Sequence, residues 1–164
     1  NYPYIAAIQD GRIIFYIDDK DRDNDPLRFY HQMNSRIFLL KLIPGMDASI
    51  LDALAPAYDG LIIESFGVGG LPDYGRKEFF SALKRWTEAG KPVCMATQVT
   101  HEGSEMGIYQ VGKIIKDLFP VLESYDMTPE ACVTKLMWAL GQTSEPEHCR
   151  KLFYTSINHD LLFV

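Results

Sequence analysis

Apolar positions along the chain fall first into two short runs, residues 4–8 and 12–17, split by Gln9-Asp10-Gly11. Asp-Gly between two β-type runs predicts a hairpin, because its turn needs positive φ and Gly adopts it freely. Asp18 to Ser35 is dense in Asp, Arg and Asn and reads as a solvated loop with at most a short helix. From Arg36 the rhythm changes. Ile37 to Leu42 is an almost unbroken apolar run closed by Pro44-Gly45, the pattern of a strand buried on both faces. Leu61 to Ser65 and Pro92 to Thr97 repeat it. Between these runs, Asp47 is expected to cap a helix carrying Ile50, Leu51 and Leu54 and stopping near Pro56. Phe79, Leu83 and Trp86, with Phe80 alongside, mark an amphipathic helix that ends at Gly90. Val111, Ile114, Ile115 and Leu118 show the same spacing, and Val121-Leu122 carries a fainter signal for a short fourth strand. Thr128-Pro129-Glu130 combines a capping hydroxyl, Pro at the first helical position and an acid facing the helix dipole. Val133, Leu136, Met137 and Leu140 continue that helix, and a last one is expected from Ser144 past Leu152.

Strands alternating with helices predict an α/β fold. The expectation is a small doubly wound, Rossmann-like domain with a mostly parallel sheet of about four strands, preceded by an N-terminal β-hairpin. Residues 1–35 form the hairpin and charged loop, and residues 36–164 the core. A chain of 164 residues is long enough for one such domain, burying about 70% of its unfolded surface. Charge narrows the partners. With 16 basic against 22 acidic residues and no Lys/Arg run, neither nucleic acid nor an anionic membrane surface is an expected partner. No apolar run is long enough to span a bilayer. Cys94, Cys132 and Cys149 cannot all pair, and none sits in a C-x-x-C, which fits a reducing cytoplasm. The chain lacks an initiator Met and reads as a piece of something longer.

Ligands of open α/β sheets gather at the carboxyl ends of the strands, here Pro44-Gly45, Ser65 to Pro72 and Thr97 to Glu105. Gly67-x-Gly69 begins a dinucleotide fingerprint, but Pro72 stands where its third Gly belongs, so a tight turn is the better reading. His101 with Glu102 and Glu105 lacks metal-ligand spacing, and neither a metal nor a cofactor is expected. Ser65 and Ser104 lie outside any G-x-S-x-G, with no His placed to serve as base. Asp126 and Glu130 resemble paired carboxylates, yet the helix cap and dipole account for them. Cys94, in mid-strand, reads as an inert core thiol. No complete catalytic set is legible in this chain.

Four stretches nevertheless form a pattern: IFLLKLIPGMD (37–47), IESFGVGGLP (63–72), Ala96-Thr97-Gln98, and DMTPEACVTKLMWALG (126–141). Together they resemble the C-terminal half of bacterial, cytoplasmic type I L-asparaginases. The resemblance implies a two-domain amidohydrolase converting asparagine and water to aspartate and ammonia through an acyl-enzyme. Its nucleophile motifs belong to an N-terminal catalytic domain; neither Thr-Gly-Gly-Thr nor Asp-Gly-Thr-Asp occurs here. In that family the C-terminal module packs against a neighbouring subunit, in homodimers or homotetramers, and lends residues to the neighbour's active site. Carried over, the loop Phe66 to Pro72 lines the neighbour's cleft through Gly69 and Gly70. Many relatives have Asn at position 70, so Gly70 leaves backbone contact only. Glu105, and after it Glu102, match the acid that holds the substrate α-amino group. Some relatives also bind an effector asparagine near positions 64, 97 and 99. Here those are Glu64, Thr97 and Val99, and Glu64 stands where an Arg would hold the effector carboxylate. Otherwise Glu64 simply ends a strand and pairs with a local Lys or Arg. A stand-alone, non-catalytic α/β module that binds a small amino acid or a partner protein would share this fold.

Overall fold

Asp10 and Gly11, with φ of 52° and 71°, close a two-residue turn in which Gln9 faces Arg12. The hairpin joins β1 (Ala6–Gln9) to β2 (Arg12–Phe15). Its alternation places Ala6, Ile8, Ile13 and Phe15 on one face and Ala7 and Ile14 on the other. The first face is wholly apolar, and the second carries Gln9 and Arg12 beside Ala7 and Ile14. Both are open: Ile8 is 79% and Phe15 68% exposed on the first, Ile14 41% on the second. The computed structural model describes residues 4–16, 26–67, 69–72, 78–108, 110–157 and 159–161. Ile17, the last residue of the second apolar run, and residues 18–25 of the predicted charged loop lie outside the described residues. Residues 26–36 run without regular structure along the face of a later helix. Asn34 N–H donates to the Met137 carbonyl (2.9 Å), Gln142 Nε2 donates to the Gln32 carbonyl (2.8 Å), and Tyr30 meets Trp138 edge-on at 5.1 Å.

The core is one parallel sheet of β3 (Ile37–Lys41), β4 (Gly60–Ser65), β5 (Val93–Thr97) and β6 (Leu122–Glu123), adjacent in that order. Crossovers between neighbouring strands carry α1 (Ser49–Leu54), α2 (Glu78–Glu88) and α3 (Gln110–Leu118). Leu51, Leu83 and Ile115 from these helices pack with Leu61 and Ile63 on one side of the sheet. After β6 the chain returns over the other side as α4 (Pro129–Gln142) and α5 (Pro146–Phe153), burying Leu136 and Phe153 against Ile62 and Cys94. The sheet is therefore covered on both faces, as expected. Thr128 caps α4 as predicted, its hydroxyl accepting from the Ala131 N–H at 3.2 Å.

Three details differ from the sequence reading. β3 lies at a sheet edge, and Leu39 is 38% exposed, not buried on both faces. α1 opens on Ala48 without a side-chain cap, although Asp47 Oδ1 accepts from the Ser49 N–H at 2.8 Å. The last helix begins at Pro146, not Ser144, because the Glu145 carboxylate accepts from the amides of Glu147 and His148 and fixes Pro at the first position.

Candidate functional site

The carboxyl ends of β3, β4 and β5 open onto a groove of about 160 Å³. Its walls include Glu64 and Thr97 from the strand ends, Val99 and Glu102 from the loop after β5, Asp126 from the turn before α4, and Glu130 from the first turn of α4. Lys41 lies among these four carboxylates, 4.0 Å from Glu64. Glu64 thus lies one residue before the end of its strand, beside a local Lys. The groove is acidic overall, which favours a cationic group over an anionic one.

Two side chains hold the strand ends in register. Gln98 Nε2 donates to the carbonyls of Leu42 (2.8 Å) and Glu64 (2.9 Å), joining the exits of β3 and β4. The Thr97 hydroxyl donates to the Gly67 carbonyl (2.5 Å) and accepts from the Val99 N–H (3.0 Å). It therefore ties the Gly-rich loop to the loop after β5. Within the Gly-rich loop, Phe66 and Gly70 form an antiparallel bridge, so Gly70 is engaged through its backbone. Val68 lies outside the described residues.

The loop after β5 is not merely solvated. Ser104 N–H donates to the Tyr125 carbonyl (2.8 Å), and the Ser104 and Ser124 hydroxyls lie 3.1 Å apart. Met106 N–H donates to Glu123 Oε1 at 2.6 Å, and Lys116 Nζ meets Glu123 Oε2 at 2.9 Å. Glu123 is 2% exposed, so both carboxylate oxygens are satisfied inside the protein. The Lys116 ammonium is held above its usual pKa, chiefly by that bond to Glu123. The buried Met106 packs its side chain against Gly69 and its backbone against Gly112, where a Cβ would sit 3.1 Å from Met106 Cγ and 2.5 Å from the Met106 carbonyl oxygen, respectively. Only Gly admits this close approach.

Glu64, Thr97, Val99 and Glu102 meet at the groove, whereas Glu105 projects from the anchored stretch outside its lining. Gly69 is buried against Met106 and Gly70 half-buried beside Phe66. The serines considered as nucleophiles are spent on structure. Ser65 donates to the Ala96 carbonyl at 2.7 Å, and Ser104 is paired as described. Cys94 is fully buried 3.4 Å from Cys132 Sγ, and burial pushes its thiol well up. Cys149 is pushed up to about 11 for the same reason. Among the described residues, no group of three or more His, Cys, Asp or Glu is arranged to hold a metal ion. Gln98, Met106, Lys116 and Glu123 escaped the sequence reading as site residues. A visible signal for Glu123 was an acid directly after the apolar pair Val121-Leu122.

A four-stranded parallel sheet covered on both faces, with two loops locked over its carboxyl ends, defines an α/β domain built to present loops. The chain belongs to the glutaminase/asparaginase C-terminal domain family, whose sequence model matches residues 36–153. It is 34% identical over 157 residues to the L-asparaginase of Thermococcus kodakarensis, covering 96% of this chain and 47% of that protein. It is equally 34% identical, over 141 residues, to a glutamyl-tRNA(Gln) amidotransferase subunit of Metallosphaera sedula, covering 85% of this chain and 31% of that one. The solved thermostable L-asparaginase from Thermococcus kodakarensis superposes with a TM-score of 0.83 at 33% identity, over all of this chain and 49% of its own. L-asparaginase I from Vibrio cholerae, at 23% identity and TM-score 0.81, shares the fold over 99% of this chain and 49% of its own. The chain spans about half the length of the L-asparaginase it matches. No helix among the described residues is long and apolar enough to cross a membrane.

Proposed function

We propose that the chain is the C-terminal domain of a cytoplasmic L-asparaginase, serving subunit association in a homodimer or homotetramer and the neighbouring subunit's substrate site. The whole protein would hydrolyse asparagine to aspartate and ammonia, with its nucleophile supplied by an N-terminal catalytic domain. The observation that carries this reading is the match to 47% of an L-asparaginase by a chain whose N-terminal hairpin exposes apolar side chains on both faces. A two-stranded hairpin is marginal in water unless something covers it. That argues against a free-standing module and for an upstream half that buries the hairpin.

Catalytic silence of the 164-residue chain by itself is the first expectation. Ammonia release from asparagine is measured against a heat-killed control, and the same assay on the chain with its upstream half is expected to be positive. Activity of the short chain above the control would overturn the reading.

A second reading rests on the equal identity to the glutamyl-tRNA(Gln) amidotransferase polypeptide. The coverage of each relative separates the two. An upstream stretch about as long as this chain marks the asparaginase, and one about twice as long marks the amidotransferase.

Glu64 bears on regulation. A carboxylate facing an effector's carboxylate replaces attraction with repulsion, a change of several kcal/mol and enough to abolish binding at ordinary concentrations. Asparagine saturation of the full-length enzyme is therefore expected to be hyperbolic, with a Hill coefficient near one. A sigmoidal curve that survives in Thr97→Ala would mean an effector binds elsewhere. Sigmoidicity lost in that variant would mean the groove still takes an effector despite Glu64.

A further inference from the structure

The two loops assigned to substrate are built on separate crossovers, yet both converge on Met106. Gly69, in the loop after β4, lies against the Met106 side chain, and Glu102 and Glu105 precede Met106 within the loop after β5. What holds Met106 in place is a carboxylate at the end of the edge strand β6. Glu123 takes the Met106 N–H on one oxygen at 2.6 Å and the Lys116 ammonium on the other at 2.9 Å. Its own backbone N–H donates to the Tyr154 hydroxyl at 2.8 Å, which ties β6 to the residue that follows α5.

We propose that Glu123 is a positioning residue for the substrate loops, an inference that rests on reading those loops as substrate-facing. Its carboxylate, buried to 2% exposure and neutralised by Lys116, is a charged clamp on one backbone amide. A charge-assisted bond to a backbone N–H is stronger than a neutral one, and in a dry site little water competes for it. With Met106 fixed, Gly69 packs against its side chain and Gly112 against its backbone, and the loops keep their spacing before ligand arrives. Pre-organisation of this kind lowers the ordering cost of binding. Glu123 touches neither substrate nor reacting atoms; it acts through Met106.

The test uses the full-length protein, upstream half included, in three forms: unmodified, Glu123→Leu and Glu123→Gln. Backbone amide hydrogen exchange is followed at residues 104–108, with α4 as internal reference, and asparagine KM and kcat are measured alongside. In Glu123→Leu, exchange at 104–108 is expected to rise roughly tenfold or more relative to α4, with KM raised by a similar factor and kcat changed far less. Glu123→Gln keeps an oxygen for the Met106 amide, so it should restore most of the protection and most of the affinity. That variant also carries the test if Glu123→Leu fails to fold: the clamp then predicts exchange at 104–108 a few-fold above the unmodified protein, with α4 unchanged. Unchanged exchange at 104–108, or a rise shared equally by α4, would overturn the clamp. Faster local exchange with unaltered KM would overturn the positioning role. If the unmodified full-length protein released no ammonia from asparagine, the functional reading would fail, and the exchange pattern would still decide the clamp.

Discussion

Replacing Glu105 by glutamine in the full-length protein is expected to raise the KM for asparagine roughly ten- to a hundredfold and to change kcat much less. The substrate α-amino group is cationic at pH 7, and a carboxylate is the side chain that matches it across the proposed dimer interface. A charge-assisted contact contributes about 1.5–3 kcal/mol, which converts to that factor in affinity. The structure makes the variant informative because the backbone at 105 is pinned on both sides. Ser104 N–H bonds to the Tyr125 carbonyl at 2.8 Å and Met106 N–H to Glu123 at 2.6 Å, so the loop keeps its course when the side chain changes. Glu102 is the control, since it lines the chain's own groove. Steady-state kinetics of Glu105→Gln and Glu102→Gln separate the two acids. Unchanged kinetics in the first and a raised KM in the second would transfer the role to Glu102.

Trp86→Ala is expected to have the largest effect on stability, a loss of about 3–5 kcal/mol and a fall of roughly 6–20 °C in Tm. Trp86 is 1% exposed within the cluster that joins α1, α2 and the sheet, and its Nε1 donates to the Leu51 carbonyl at 2.9 Å. Truncation removes the ring and leaves a cavity that the surrounding helices fill only in part. Trp86→Phe should cost less than half as much, because the Leu51 carbonyl also accepts from the Ala55 N–H at 3.1 Å and stays satisfied. Thermal unfolding of both variants by circular dichroism checks the pair. Equal losses would assign the effect to the indole N–H and not to packing.

Much of this architecture was legible because its signals are local. Asp10-Gly11 specifies a turn by backbone conformation, Thr128-Pro129 a helix start by capping, and Phe79, Leu83 and Trp86 a buried stripe by spacing. Each needs only its own segment. Leu39 was misjudged because an apolar run does not report whether its strand lies inside the sheet or at the edge. The anchorage of the loop after β5 was not legible, because a polar composition does not say which groups are bonded inside the protein. That anchorage uses the backbone amides of Ser104 and Met106, groups every residue carries, bonded to the Tyr125 carbonyl and the Glu123 carboxylate. For the same reason the partner of Glu123 was invisible: an amide from a distant loop leaves no mark on the sequence around the acid. The candidate acids Glu102 and Glu105, by contrast, were given their role by a family resemblance, which one segment's composition does not carry.

The strap formed by residues 26–36 has a consequence for the order of events during synthesis. Its bond from Gln142 to Gln32 spans 110 positions, so the ribosome makes the strap long before it makes α4. At ordinary elongation rates the interval is about 5–20 s. Throughout that time Tyr30 and Asn34 have no Trp138 or Met137 to bind. Everything upstream of residue 26 must then reach its own structure while still tethered by a loose connector, and the tether becomes stiff only once α4 has been made.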